Sequence, residues 1–235
     1  MDTARKRMNK ERLADFHAHV LPYCDHGCRS EDTCRAQLKA LSDWGIGFVG
    51  VTPHFYPNID LVSDFLIRRE KGMEILKRFA YESGICAVCG AETLVCEGME
   101  NMSGLDKLVF ENTNTLLLEM PFSGWNERLA ETVDKICGKG FSVVIAHVDR
   151  YQKSDVEMLL DLDVGFQING SGLKGILGKR RFRYLFDDKR VVALGSDIHG
   201  RDIHFAKELA EGYKKIGSEN CRYITDESKR LMGFR

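Results

Sequence analysis

Residues 14–22 read ADFHAHVLP, a short apolar run closing on two histidines spaced two apart. In an extended strand, residues two apart point to the same side, so Asp15, His17 and His19 would share one edge. Three polar groups converging there need a common partner, and a divalent cation is the candidate. The stretch matters for the fold because its pattern recurs along the chain. An apolar, β-branched run ends in chemistry, and a helix-period segment comes next.

Strand candidates fall at 12–17, 47–52, 86–91, 115–119, 142–147, 164–168 and 191–196. Such uninterrupted apolar runs suit parallel strands covered on both faces. Between them the spacing predicts helices over 31–44, 60–83, 126–137, 154–162, 173–188, 201–216 and 227–233. Asn126 is placed to cap the third, and Gly84 and Gly138 to end the second and third. Alternation of this kind implies an α/β architecture, and seven units favour a closed or nearly closed barrel over an open sheet.

The bulk properties agree with one globular domain. The 235 residues include 22 glycines and only four prolines, with no repeat or linker-like tract, so 13–235 is read as a single domain. Residues 1–12, MDTARKRMNKER, are charged and are expected to form a mobile extension. They lack the apolar core of a signal peptide, and no apolar run reaches a membrane span, so a cytoplasmic, non-membrane protein is expected. A net charge of −1 gives no global pull towards nucleic acid. The eight cysteines read as reduced thiols, and the single C-x-x-C of Cys86 and Cys89 as small buried hydrophobes. None has an arginine at the offset a cysteine-based phosphatase needs.

The C-terminal ends of the strand candidates carry the chemistry. The first gives His17 and His19, with Asp25 and His26 close behind. The second ends in TPH (His54) and the third in GAE (Glu92). The fourth runs into Glu119, and the fifth into His147 and Arg150. The last reaches Asp197 and His199, with His204 beyond. All seven histidines fall at these strand ends. In a barrel those ends share one face, where active sites are built. So many imidazoles and carboxylates exceed what one tetrahedral ion can use, which implies a multinuclear site.

The ordered set H-x-H, T-P-H, G-x-E, a strand ending in Glu, A-H and S-D-x-H resembles the polymerase and histidinol phosphatase (PHP) family. Within it, LLLEMPF (116–122), AHVDRY (146–151), QINGSGL (167–173) and LGSDIHG (194–200) are most similar to the metal-dependent tyrosine phosphatases of bacterial capsule and exopolysaccharide operons. The resemblance implies a distorted TIM-like (β/α)7 barrel holding up to three divalent ions, with manganese favoured and iron or zinc as alternatives. Its ligands would be His17, His19, His54, Glu92, Glu119, His147, Asp197 and His199, with Asp25 as a ninth. Arg150 would hold the substrate phosphate, and His26, His199 or His204 would protonate the leaving group. The nucleophile would be a metal-activated hydroxide. The implied substrate is a phosphotyrosine protein, namely the tyrosine-rich tail of a bacterial tyrosine kinase. Histidinol phosphate hydrolysis is the nearest rival, and a metal-dependent nuclease or amidohydrolase on a related barrel a more distant one. Two departures stand out. Relatives often read D-D-G where this chain has Asp25-His26-Gly27, and an arginine usual beyond the last D-x-H is replaced by His204, with Arg201 nearby.

Two further stretches invite functional readings. GSGLKG (170–175) fits a dinucleotide-binding pattern but comes after the metal-ligand candidates and lacks the next β-unit. A loop entering a helix N-terminus is the preferred reading. The basic run GKRRFRYLFDDKR (178–190) reads as a solvated helix face, with an anchor for an acidic phosphopeptide as the alternative.

Overall fold

The computed structural model describes residues 12–175 and 178–234. The expected extension therefore lies outside the described residues apart from Arg12. Strands and helices alternate as β1 (Leu13–Ala18), α1 (Glu31–Asp43), β2 (Ile46–Val51), β3 (His54–Phe55), α2 (Val62–Ser83), β4 (Cys86–Cys89) and β5 (Glu92–Leu94). Next come β6 (Thr115–Glu119), α3 (Glu127–Gly138), β7 (Ser142–Ile145), α4 (Lys153–Glu157), β8 (Val164–Asn169), α5 (Gly178–Arg181), α6 (Arg183–Asp187), β9 (Val191–Gly195), α7 (His204–Lys215) and α8 (Ser218–Leu231). Every strand pair is parallel.

The expectation of a closed seven-stranded barrel is corrected in one respect: among the described residues there is no closed sheet. The strands form two sheets, ordered β1-β2-β4 and β3-β5-β6-β7-β8-β9. The division arises because two of the seven expected strands end in a break, beyond which the path resumes as a further short strand. Thr52 and Pro53 separate β2 from β3, and Pro53 has no N–H to give to a ladder. Gly90 and Ala91 separate β4 from β5 at the same level. Single bonds from Gly90 N to Val51 O (2.9 Å) and Glu92 N to Pro53 O (3.0 Å) carry the strand path across both breaks.

Between β9 and β1 the contact lies past the end of β9. Asp197 N donates to His17 O at 2.8 Å and His19 N to Ile198 O at 3.2 Å. Just before them a side chain stands in for the ladder: Ser196 N and Oγ both donate to the buried Asp15 carboxylate. Asp15 thus joins the seam rather than sharing a cation with His17 and His19.

The helices pack outside the strands over one large apolar core, joined by a smaller cluster that includes Phe16, Phe110, Leu117 and Met232. Asn126 caps α3 as expected, accepting from Leu129 N at 3.0 Å, and Gly84 ends α2. Within the predicted helix 173–188, the described residues form two short helices, α5 and α6, and before them Gly175 has a left-handed φ of 72° that a continuous helix does not allow. The last helix starts at Ser218 rather than 227. The eight cysteines are reduced thiols; of the C-x-x-C pair Cys89 is buried as expected, whereas Cys86 is exposed.

Candidate metal centre

The candidate residues at the strand ends meet in one buried cluster. His17 Nδ1 faces Gln167 Oε1 at 3.1 Å, and His19 Nδ1 faces Asp25 Oδ2 at 2.9 Å. Both partners accept, so each ring presents an N–H from Nδ1 and turns its Nε2 inward. Those two Nε2 atoms lie 3.0 Å apart. Glu92 Oε2 is 3.2 Å from each, and Asp197 Oδ1 is 3.3 Å from His19 and 3.6 Å from His17. Acceptors facing acceptors in a buried space are unstable unless a proton or cation sits among them.

The cluster extends along Glu92. Its Oε1 lies 2.9 Å from His147 Nε2 and its Oε2 2.9 Å from His54 Nδ1. Glu119 reaches the same two rings at 3.5 and 3.9 Å, and His199 Nε2 is 3.4 Å from His54 Nε2. Glu92 Oε2, His54 Nδ1 and His147 Nδ1 are buried without a hydrogen-bond partner of good geometry. Three overlapping groups can each present three ligand atoms within 4.8 Å: His17–His19–Glu92, His54–Glu92–Glu119 and His19–His54–His199. The donor set is imidazole and carboxylate with no thiolate, which suits manganese, iron or zinc. The residues fit divalent cations.

The electrostatics reflect this crowding. Burial raises the Glu92 pKa, but the attraction of the surrounding His17, His147 and His19 outweighs it and holds the carboxyl well below its usual range. Burial lowers the His147 pKa, yet bonds to Glu119 and Glu92 raise it to about 9. Burial and the neighbouring His19 push His199 down to about 4. Two residues of the cluster, His147 (φ 30°) and Asp197 (φ 53°), are left-handed without being glycine.

The remaining candidates divide. Asp25 lies outside the three groups, its carboxylate taken up by His19 Nδ1, His54 N and Gly27 N. His26 stacks on His54 with ring centroids 4.8 Å apart, and Tyr56 stacks on the same ring at 5.3 Å. Among the described residues, His204 has no hydrogen bond, ion pair or ring contact with another candidate; it faces Phe205 and lies 3.8 Å from Glu208.

Arg150 pairs with Asp197 Oδ2 from a one-turn 3₁₀ segment, Val148–Arg150. That turn is held from three sides. Arg181 donates to the carbonyls of Asp149 (3.1 Å) and Tyr151 (2.8 Å), which flank Arg150. The Tyr151 hydroxyl bonds to Met120 N and O, and Asn169 N donates to Asp149 Oδ1 at 2.8 Å. Arg181 is therefore neither an idle solvated charge nor a free peptide anchor. The glycines of GSGLKG also find a structural use: a Cβ on Gly172 would stand 2.5 Å from Asp149.

Asp15, Gln167, Asn169, Tyr151 and Arg181 all support the cluster without having been assigned that role from sequence. Gln167 and Asn169 stand in a motif that carried the family resemblance, but nothing local marks a strand glutamine as different from any other.

Residues 13–231 of the chain match the family described as capsular polysaccharide synthesis, CpsB/CapC. Tyrosine-protein phosphatase YwqE of Bacillus subtilis is 24% identical over 233 residues, covering 94% of this chain and 91% of that protein. Tyrosine-protein phosphatase CpsB of Streptococcus agalactiae serotype V is 22% identical over 242 residues, covering 94% and 98%. In structure, the chain superposes with a TM-score of 0.76 on one of the crystal structures of YwqE from B. subtilis and CpsB from Streptococcus pneumoniae, which are described as metal-dependent tyrosine phosphatases. The identity there is 21%, and 94% of each chain is covered. The phosphotriesterase homology protein of Escherichia coli shares the fold more distantly, with a TM-score of 0.56 at 12% identity, covering 94% of this chain and 98% of that one.

Proposed function

The chain belongs to the CpsB/CapC family of capsular polysaccharide synthesis, and from that premise we propose that it is a metal-dependent phosphatase that hydrolyses phosphotyrosine in proteins. The observation that carries this reading is the buried convergence of His17, His19, Glu92 and Asp197 with the Arg150 guanidinium beside it. Divalent ions held there would supply a nucleophilic water at neutral pH and positive charge for phosphoryl oxygens. Up to three ions, with manganese favoured, would use His17, His19, His54, Glu92, Glu119, His147, Asp197 and His199.

The chain's own residues supply the rest. The planar fork of Arg150 suits two oxygens of a phosphate, and its turn is fixed before substrate arrives. Asp25 orients His19 through Nδ1. A departing tyrosine phenolate has a pKa of about 10, so it needs less help from an acid than an alkyl alkoxide does. His26, exposed and stacked on His54, is the residue we assign to meet that oxygen. His199 lies within the ligand groups, and His204 stands apart from them. The substrate in this reading is the tyrosine-rich tail of a capsule-linked kinase, met on the cytoplasmic side of the membrane. No described helix is long and apolar enough to cross a membrane itself.

A panel of phosphotyrosine peptide, phosphoserine peptide and histidinol phosphate, each assayed with Mn²⁺ and with EDTA, tests the reading. Selective, chelator-sensitive turnover of the first is expected. Preference for histidinol phosphate would overturn the substrate assignment, and turnover unaffected by chelator would overturn the metal centre.

A further inference from the structure

Strand β8 contributes no candidate ligand, yet its inward residues Gln167 and Asn169, two apart, touch three of them. Both are buried, while Phe166 and Ile168 point the other way into the main core. Gln167 Oε1 accepts from His147 N at 2.7 Å and faces His17 Nδ1 at 3.1 Å. Gln167 Nε2 donates to Asn169 Oδ1 at 2.8 Å, and Asn169 Nδ2 approaches Asp197 Oδ2 at 3.4 Å.

The direction of this chain is fixed at both ends. A main-chain N–H can only donate and an ionised carboxylate can only accept, so neither amide can flip without setting like against like. The glutamine oxygen must then receive a proton from His17, which puts that proton on Nδ1. The space is shaped to match, because Gly195 on β9 leaves room for the amide: a Cβ there would stand 2.7 Å from both Gln167 Nε2 and His17 Cβ.

We infer that Gln167 is a positioning residue that locks His17 in its Nδ1–H tautomer and holds the His147 main chain, so that one oxygen orients two ligands on different strands. Asn169 extends the lock to Asp197. The inference rests on the metal-centre reading for its purpose but not for its geometry. Partners of this kind typically change metal affinity by about 10- to 100-fold when removed.

The test uses the full chain. Long-range ¹H–¹⁵N spectra of metal-free protein, with His17 assigned through a His17→Gln variant, should show the Nδ1–H tautomer. Gln167→Met keeps the size and loses the acceptor. It should release that tautomer preference and weaken Mn²⁺ binding in equilibrium dialysis by about 10- to 100-fold. Gln167→Glu keeps an acceptor and should retain the tautomer. An Nε2–H tautomer in the wild type, or Mn²⁺ affinity in Gln167→Met within about twofold of wild type, would overturn the inference. Should Gln167→Met not fold, the wild-type tautomer decides alone. A wild type that binds no Mn²⁺ but shows Nδ1–H would overturn the metal reading and leave the lock standing.

Discussion

Two side chains show how much rests on single groups. Arg150 can be tested by truncation, because among the described residues its guanidinium is the one Arg or Lys head group paired with the cluster. Arg150→Ala should lower kcat/KM for an aryl phosphate by about 10- to 100-fold, the worth of one or two charge-assisted hydrogen bonds, with bound manganese unchanged. Asp15 tests the seam. Burial raises its pKa to about 6 against the lowering effect of its Ser196 and His17 bonds. An acid raised in the folded state stabilises fully below its ordinary range and loses that contribution as pH climbs through about 6. Asp15→Asn keeps an acceptor for Ser196 N and His17 N and carries no charge. It should match or exceed wild-type stability at pH 7–8, with a gain up to roughly 3 kcal/mol that shrinks towards pH 4. Asp15→Ala leaves buried donors unpaired and should cost about 2–3 kcal/mol at any pH. Urea denaturation across that range separates the two.

At the scale of elements, the Arg150 turn is a short segment whose shape is imposed by its surroundings. Three residues of 3₁₀ helix have little stability of their own. The turn is set by the left-handed His147 before it, by Tyr151 bonding to the strand end that carries Glu119, and by Arg181 spanning two carbonyls. Arg181→Ala should lower kcat/KM by about 10-fold through misplacement of Arg150, with metal content unchanged. Arg181→Lys, a point donor in place of a fork, should not restore it. Steady-state kinetics with metal analysis provides the check, and Arg180, which makes neither bond, is the matched control. The C-terminal helix illustrates a different point. Its buried stripe is Ile224, Thr225, Ser228 and Leu231, and two of those four residues are polar, so an apolar count sees only its last turn.

For the whole molecule, the cluster joins strand ends from both sheets, so ions bound there should brace the fold as well as serve the reaction. Ligand that binds only the folded state adds about 2.7 kcal/mol at roughly a hundred times its dissociation constant. Saturating Mn²⁺ should therefore raise Tm, and EDTA should return it to the metal-free value. Protons compete for the same lone pairs. With the His147 pKa held at about 9 by Glu119 and Glu92, its ring is largely protonated near neutrality. Mn²⁺ affinity should then strengthen as pH rises from 6 to 9, and binding should release protons, which calorimetry in buffers of different ionisation heat measures.

The alternation of apolar runs and helix-period segments, and the placement of imidazoles and carboxylates at the run ends, were already decided in the sequence. Both are local: each strand announces itself by its own residues, and its C-terminal end is given by its direction. Whether the ring of strands closes was decided elsewhere, by the breaks at Thr52-Pro53 and Gly90-Ala91 and by a carboxylate bonding where a ladder would run. The roles of Asp15, Gln167 and Arg181 were decided there too. Each depends on a partner 20 or more residues away, such as Ser196 for Asp15 or His147 and His17 for Gln167. Only strand register and helix packing bring those atoms within hydrogen-bond distance, and no short window of sequence carries that register.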